Sequence, residues 1–219
     1  MRIVILGCPG AGKGTQAAIL SAKYGFKHIS TGDLIRSEIA AKTALGLKVT
    51  NYLRSGTLVP DQVVVDMVAG KIGKGDAKGY ILDGFPRTLE QAQALDEFLK
   101  KNGQQIDLVI FINLNESEVL RRLTSRRQCI GCGAVYNLVT KPPKTEGKCD
   151  VCGGDIIQRE DDQETTVKKR SMVFDDLTAP LIAFYRAETA LHEVDGSRPI
   201  DEVTQKLAAI VDEAQAGQR

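Results

Sequence analysis

A glycine-rich stretch directly after an apolar run constrains the fold of this chain more than any other feature. The run RIVIL (residues 2–6) has the composition of a buried strand, and GCPGAGKGT (residues 7–15) follows it. The stretch matches the pattern G-x-x-x-x-G-K-[ST] except at its last position, where Gly14 replaces the hydroxyl residue. A helical pattern begins near Thr15, so strand, glycine turn and helix follow one another. This context predicts a phosphate-binding loop, and a tight turn that binds nothing is the alternative.

Each part of this loop has a chemical reason to bind phosphate. Glycines let backbone N–H groups approach phosphate oxygens, and the helix start adds its positive end. Lys13 supplies a positive charge for the outer phosphates. Because no hydroxyl follows Lys13 directly, we expect Thr15, phosphate oxygens and water to hold magnesium. Asp83, at the end of the apolar run YILD, is the candidate for binding those waters, with a helix cap or turn residue as its alternative role.

Short apolar runs alternate with helical patterns along the chain. Strands are predicted at residues 2–6, 80–82 and 108–112, with weaker candidates at 27–30 and 191–194. Helices are predicted at residues 15–24, 34–41, 45–55, 61–72, 89–101, 117–126 and 203–214. The alternation predicts an α/β fold, a parallel sheet with helices on both faces. Two segments interrupt it: residues 31–59 lack a strand signal, and residues 128–157 combine four cysteines with two prolines.

Composition argues against several classes of protein. The 219 residues carry a formal net charge of +1, which gives no global field for nucleic acid or a membrane surface. No apolar run approaches the ~20 residues of a membrane helix, and the apolar N-terminus is too short for a signal peptide. We therefore expect a cytoplasmic protein, in which cysteines are thiols or metal ligands rather than disulfides.

Four of the five cysteines form two closely spaced pairs. Two residues separate Cys129 from Cys132, two separate Cys149 from Cys152, and residues 133–148 lie between the pairs. This spacing is typical of a zinc ribbon, and four thiolates match tetrahedral Zn²⁺. Because four cysteines leave no position for substrate or water, we predict a structural site that supplies folding energy. Iron in the same site, two disulfides, or four free thiols are the alternatives.

Six arginines lie next to predicted turns and segment boundaries: Arg36, Arg87, Arg122, Arg126, Arg159 and Arg170. Arg122 and Arg126 are four residues apart, and we predict both on one helix face, where their repulsion favours an anionic partner. A guanidinium group binds phosphate through two parallel hydrogen bonds. Any single arginine is most simply a solvated surface charge. Together with the loop, and with no obvious nucleophile or base, the set predicts direct phosphoryl transfer between two bound nucleotides.

Five motifs, in order over nearly the whole chain, resemble those of adenylate kinases: GCPGAGKGTQA, HISTGDLIR, DGFPRTLEQA, QREDDQETTVKKR and TAPLIAFY. The chain is similar to the long form of that family with a zinc-type lid, in which Gly14 is the usual residue after the lysine. The resemblance implies a P-loop nucleoside monophosphate kinase-like core (1–29, 60–125 and 163–219), a helical AMP-binding insert (30–59) and a small zinc-ribbon-like lid (126–162). It also implies reversible phosphoryl transfer between Mg²⁺-bound ATP and AMP, giving two ADP.

The resemblance further implies which residues bind each substrate. The ATP site would comprise Gly10, Ala11, Gly12, Lys13, Gly14, Thr15, Arg122, Arg126, Val135, Tyr136 and Arg198. The AMP site would comprise Thr31, Arg36, Thr57, Leu58, Val59, Gly84, Phe85, Pro86, Arg87 and Gln91, the last reading the adenine edge. Arg159 and Arg170 would clamp the transferring phosphoryl group at the AMP side. Lys13 and the six arginines above would form the catalytic set, and Asp83 would hold Mg²⁺ through water.

Two rival functions stay open. One is a nucleoside monophosphate kinase with another acceptor or with GTP as donor, although Thr31 and Gln91 favour AMP. The other is a nucleotide-sensing zinc ribbon that binds nucleic acid. Against it stand the near-neutral charge and the single aromatic residue of the ribbon, Tyr136. We expect a monomer whose partners are ATP, AMP and ADP, without nucleic acid or membrane.

Overall fold

The computed structural model of the chain describes residues 1–72, 78–189 and 191–217. A five-stranded sheet forms its centre. The strands are β1 Arg2–Leu6, β2 Lys27–Ser30, β3 Tyr80–Asp83, β4 Leu108–Asn113 and β8 Leu191–Asp195. They lie side by side in the order β2-β3-β1-β4-β8. Every pairing between them is parallel, so their carboxyl ends lie at one edge. The predicted parallel sheet is confirmed at all five predicted positions.

The sheet is buried on both faces, which explains why its strands read as continuous apolar runs. Successive side chains of a strand point to opposite faces. Ile3 and Ile5 belong to one hydrophobic cluster, and Val4 and Leu6 belong to the other. Burying each such side chain contributes about 1.5–3 kcal/mol relative to leaving it exposed. The loop that follows β1 is therefore anchored in the most buried part of the fold.

Helices cover both faces of this sheet, and their bounds differ from the prediction at several ends. They are α1 Lys13–Tyr24, α2 Thr31–Ala40, α3 Ala44–Ser55, α4 Asp61–Ala69, α5 Leu89–Lys101, α6 Glu116–Thr124, α7 Glu164–Val173, α8 Pro180–Glu188 and α9 Ile200–Ala216. Helix α4 ends at Ala69 rather than at residue 72, and the sequence analysis missed α7 and α8. A π-helical turn, Phe174–Thr178, joins these two helices. Among the described residues, no helix is long and apolar enough to cross a bilayer.

Helices α2 and α3 lie within the segment that interrupts the strand pattern. Helix α2 begins directly after β2 because the Ser30 side chain accepts a hydrogen bond from the backbone N–H of Asp33. The two helices approach closely at Gly46, where an added Cβ would lie 2.1 Å from the carbonyl oxygen of Glu38. A glycine is therefore required at this crossing.

A second sheet lies within residues 126–162. Its strands are β5 Arg126–Cys129, β6 Val135–Asn137 and β7 Ile156–Ile157, which pair antiparallel in the order β6-β5-β7. A small cluster of buried side chains supports it: Cys129, Tyr136 and Cys149, with Ala134 and Ile156 packed against them. So small a buried apolar surface stabilises a fold only weakly, and the cysteines contribute much of that surface.

The prediction that Arg122 and Arg126 share a helix face is wrong. Helix α6 ends at Thr124, and Arg126 opens β5, where it pairs with Asn137 of β6. The antiparallel pairing takes the backbone out of the helix immediately after Ser125. Arg122 stays in the last turn of α6, with its Nε 3.7 Å from an Oε2 of Glu118. The two arginines therefore belong to different elements, and the repulsion argument does not apply.

Candidate active site

The phosphate loop connects β1 to α1 at the carboxyl edge of the large sheet. Gly10 and Gly12 have φ values of 82° and 92°, a left-handed region that residues with a Cβ rarely adopt. Helix α1 begins at Lys13, two residues before the predicted start at Thr15. Its first N–H groups have no partner within the helix and lie beside the loop. Backbone donors and the positive helix end are thus placed as an anion requires.

Lys13 folds back over this loop. Its Nζ donates hydrogen bonds to the carbonyl oxygens of Gly7, at 2.8 Å, and Cys8, at 2.9 Å. Burial lowers the pKa of Lys13 to about 8, and the negative charge of Asp83 opposes part of that shift. A buried ammonium group is costly without a counter-ion, and a bound phosphate would supply one.

Asp83 ends β3 beside the start of α1, and it does not cap a helix. An added Cβ at Gly14 would lie 3.1 Å from Oδ2 of Asp83. The same oxygen lies 3.2 Å from Nε2 of His28. The glycine therefore keeps the space between the loop and this carboxylate free of side-chain atoms.

Two of the arginines are paired with buried carboxylates. Arg126 contacts Asp162 with both Nε, at 2.8 Å, and Nη2, at 2.5 Å. Arg170 Nη1 lies 3.0 Å from Asp161 and 3.2 Å from Asp162. Asp162 has no exposed side-chain surface. Burial alone would raise the pKa of Asp161, but the positive charges led by Arg170 outweigh it and lower that pKa.

Arg87 and Arg159 have no carboxylate within 4.0 Å in the described parts of the chain. Arg87 Nε donates to the carbonyl oxygen of Gly84 at 2.8 Å, and Arg159 Nε donates to Oε1 of Gln128 at 2.6 Å. Burial and the nearby charge of Arg170 lower the pKa of Arg87 to about 10. Burial and neighbouring arginines lower the pKa of Arg159 to about 9. These two guanidinium groups therefore carry buried charge that nearby aspartates offset only in part and at a distance.

The site has an excess of positive charge. Arg36 is paired with Asp33 at 2.7 Å, and its buried Nε has no hydrogen-bond partner. The cations that face one another are Lys13, Arg36, Arg87, Arg126, Arg159 and Arg170, and the carboxylates among them are Asp33, Asp83, Asp161 and Asp162. Charges of one sign held together away from water favour a ligand of the opposite sign. The arrangement is suited to several phosphate groups at once.

The residues expected around AMP come from three elements that meet here. Thr31 Oγ1 donates to the carbonyl oxygen of Gly84 at 2.7 Å, which joins the start of α2 to the turn after β3. Gln91 accepts from the backbone N–H of Arg87 at 2.8 Å and donates to Oδ1 of Asp61 at 2.6 Å. Each end of the Gln91 amide therefore keeps one further hydrogen-bonding position, a second lone pair and a second N–H.

Of the other residues expected in this site, Thr57, Leu58 and Val59 follow α3, and Phe85 and Pro86 lie between Gly84 and Arg87. Val59 and Phe85 are buried in the core.

The residues expected around ATP are divided between two regions. Arg122 Nη2 donates to the carbonyl oxygen of Ser197 at 3.4 Å, beside the exposed Arg198. Val135 pairs with Gln128, so the two side chains lie on the same face of the second sheet, the face on which Gln128 contacts Arg159. Tyr136 points to the opposite face, into the cysteine cluster. A nucleotide on the arginine side would therefore meet the backbone rather than the hydroxyl of Tyr136.

The four cysteines meet at one point behind this sheet. Their Sγ atoms all lie within 4.8 Å of one another, and the Cys129–Cys152 and Cys132–Cys149 pairs are 3.5 Å apart. Tetrahedral thiolate ligands at about 2.3 Å from Zn²⁺ would be roughly 3.8 Å apart. The Tyr136 hydroxyl, 3.3 Å from Sγ of Cys149, lowers the pKa of that thiol to about 6.

Backbone N–H groups support the same cluster. Those of Gly131 and Val151 donate to Sγ of Cys129 and Cys149 at 3.3 and 3.4 Å. Donors aimed at sulfur stabilise thiolates. The cluster therefore fits a four-thiolate metal site.

Sequence reasoning missed the groups that hold the arginines in place. Asp161 and Asp162 were visible only as an acidic stretch, and nothing marked Gln128 or Asp33. The signal available for the two aspartates was their position between Arg159 and Arg170.

The model of the adenylate kinase family matches residues 5–190. The chain belongs to the adenylate kinase family. An adenylate kinase from Archaeoglobus fulgidus is 50% identical over 213 residues, which cover 97% of this chain and 98% of the relative. One from Thermosipho melanesiensis is also 50% identical, over 96% of this chain and 99% of its own. One from Clostridium acetobutylicum is 46% identical over 97% of this chain and its whole length.

Proposed function

We propose that this adenylate kinase family member transfers a phosphoryl group reversibly from Mg²⁺-bound ATP to AMP and so produces two ADP. The proposal is carried by the phosphate loop with Lys13 and by Arg87 and Arg159, two buried cations that contact no carboxylate in the described parts of the chain. The relatives named above are adenylate kinases, and the similarity extends over almost the whole length of each, which supports the same activity. Neither GTP as donor nor nucleic-acid binding is favoured by any feature of the site.

On the donor side, we assign the triphosphate to the loop. Backbone N–H groups of residues 10–15 would surround its oxygens, and Lys13 would leave the loop carbonyls to contact the outer phosphates. Arg126, from the first strand of the second sheet, would approach the same phosphates. Arg122 and the backbone at Arg198 would lie against the rest of the nucleotide, with Val135 on the lid side.

On the acceptor side, we assign AMP to the surface between α2, α3 and the turn after β3. Arg36 and Arg87 would bind its phosphate, and Thr31 and Gln91 would contact its base. The backbone of residues 57–59 and of Gly84 would complete this site. On this proposal residues 30–59 form an AMP-binding insert, residues 126–162 a lid, and the remaining segments the core.

The transfer itself requires positioning and charge neutralisation more than covalent chemistry. Arg159 and Arg170 would neutralise charge on the transferring group while the acceptor phosphate attacks in line. No side chain is needed as a general base, because the attacking phosphate oxygen is already ionised. Closing the lid would exclude water, which otherwise competes with AMP for the phosphoryl group.

Two metals fit this scheme. Mg²⁺ bound with ATP supplies charge neutralisation at the phosphates, and Asp83 would hold it through water in the space that Gly14 leaves. Zn²⁺ matches the number and the mutual distances of the four cysteine sulfurs, and it would stabilise the lid without contacting substrate.

A coupled assay for ADP tests the proposal. Purified protein with Mg²⁺, ATP and AMP should form ADP at a rate that depends on both nucleotides. ADP formation that is independent of AMP, or none at all, would contradict it. Replacing ATP by GTP in the same assay measures the selectivity for the donor base.

A further inference from the structure

The hydrogen-bond partner of Arg159 is a neutral side chain, unlike the aspartates that contact Arg36, Arg126 and Arg170. Arg36, Arg126 and Arg170 are each held by at least one aspartate. Arg159 is held by a neutral amide, because its Nε donates to Oε1 of Gln128 at 2.6 Å. Gln128 lies 31 positions away in the chain, in the central strand of the lid sheet. The contact therefore exists only when that sheet is formed.

Gln128 is itself fixed in orientation. Its Nε2 donates to the carbonyl oxygen of Gly133 at 3.2 Å. The N–H of Gly133 in turn donates to the carbonyl oxygen of Cys129 at 3.1 Å, in the turn of the first cysteine pair. On the sheet surface, Gln128 stands in register between Val135 and Ile157. With the amide NH₂ engaged by the turn, its oxygen is directed at Arg159.

A neutral acceptor has a different effect from a carboxylate. An aspartate or glutamate would hold the guanidinium group equally well but would cancel most of its charge. An amide oxygen restricts the position of Arg159 and leaves the charge available to a ligand. Burial and the charges of Arg126 and Arg36 lower the pKa of Arg159, and Asp161 and Asp162 oppose only part of that shift.

We infer that Gln128 is a positioning residue, which directs Arg159 at the transferring phosphoryl group without neutralising its positive charge. The inference rests on the function proposed above, because it needs a phosphoryl group at Arg159. Gln128 itself contacts no substrate in this scheme and acts only through the arginine.

Two substitutions separate the position of Arg159 from its charge. Gln128→Met preserves the length of the side chain but removes both the acceptor and the donor. We expect kcat to fall about 10-fold, with smaller changes in KM for either nucleotide, because a misplaced catalytic group slows chemistry more than binding. Gln128→Glu preserves the acceptor but adds a negative charge. We expect it to weaken binding of a dinucleoside pentaphosphate that spans both sites by at least about 10-fold.

Lys148→Met is the matched control, since it removes an exposed ion pair with Asp155 from the same segment, 126–162, but outside its three strands. Its kcat should equal that of the wild type. Melting temperature and metal content are measured for all three variants. A Gln128→Met enzyme with kcat within twofold of the wild type would overturn the inference. So would a loss of kcat that merely follows lost metal or a lowered melting temperature.

The Glu variant gives an independent decision even where the Met variant does not fold. If Gln128→Glu binds the pentaphosphate as tightly as the wild type, a neutral partner is not required and the inference fails. These outcomes are distinct from failure of the proposed function. In that case the wild type itself forms no ADP from ATP and AMP.

Discussion

The phosphate loop follows strand β1 and the second sheet follows helix α6, and both contain glycine turns, but different interactions hold them in place. The loop lies between two large hydrophobic clusters, and an added Cβ at Gly7 would lie 2.6 Å from a β4 carbonyl oxygen. The lid sheet rests on a cluster of three buried side chains, two of which are cysteines. The phosphate loop is therefore supported by the main hydrophobic core, whereas the second sheet, which carries Arg126, depends on its cysteines for much of its small core.

Replacing Lys13 is the strongest test of this difference. Lys13→Ala should lower kcat/KM about 10³-fold, because it removes the mobile cation of the loop. The melting temperature should stay the same or rise, since a buried charge is removed. Steady-state kinetics and calorimetry measure the two effects. Near-normal activity would refute the assignment of the loop, and a collapsed fold would show that Lys13 is structural.

The pH dependence of the wild type gives the next largest effect. In the folded chain the pKa of Lys13 is lowered from its ordinary value of 10.5 to about 8. In the free enzyme kcat/KM for ATP should therefore fall about 10-fold per pH unit above pH 8, as the ammonium group loses its proton. A flat profile from pH 8 to 10 would contradict this expectation.

The lowered pKa of Lys13 has the opposite effect on stability: raising the pH increases the free energy of unfolding. Between pH 8 and 10.5 the unfolded chain binds the proton more tightly than the folded one. The contribution of Lys13 to the free energy of unfolding therefore increases as the pH rises through this window. Lys13→Met should lack that contribution, so the difference in stability between variant and wild type should change with pH.

Removing a metal ligand from the lid should show the reverse pattern to Lys13→Ala. Cys129→Ser should abolish tight metal binding and lower the melting temperature by roughly 5–10 °C. Turnover at low temperature should fall by only about threefold, since the cysteines contact no substrate. Metal analysis, calorimetry and kinetics at 10 °C are the measurements. A variant that keeps its metal and its melting temperature would show that the cluster is not a structural metal site.

The smallest change in melting temperature is expected from removing the ion pair that joins α3 to the end of residues 126–162. Arg54 and Glu160 form an ion pair at 2.8 Å, with side chains that are 61% and 69% exposed. Such pairs contribute little in water, so Arg54→Met should change the melting temperature by less than about 2 °C. Asp162→Asn, in the same segment but buried, should lower it more because Arg126 loses its carboxylate and Arg170 loses one of its two. Equal effects of the two variants would contradict this contrast between exposed and buried pairs.

The parts of the structure that local pattern determines could be predicted. The five parallel strands and the glycine loop follow from short apolar runs and from residue types that permit unusual backbone angles. The cysteine cluster follows from spacing. Helices α7 and α8 were missed because the π-helical turn between them shifts the register of apolar residues, and α7 buries only Val167. No single helical period runs through residues 164–188.

The arrangement of the arginines could not be predicted, because pairing across the fold determines it. Arg126 continues the polar end of α6 in sequence, and only its pairing with Asn137 places it in a sheet. The contact between Gln128 and Arg159 likewise requires two strands to align. The sequence identifies the side chains that can bind phosphate. Which of these side chains pair with a carboxylate depends on tertiary contacts.

Asp162 has a consequence for substrate affinity. It is wholly buried and shared by Arg126 and Arg170, so these arginines are already bound to an anion of the chain itself. On the proposed function, a phosphate at these arginines would compete with an internal carboxylate for the same positive charge. We therefore expect binding to be weaker than the number of cations suggests, which would favour release of products as highly charged as the substrates.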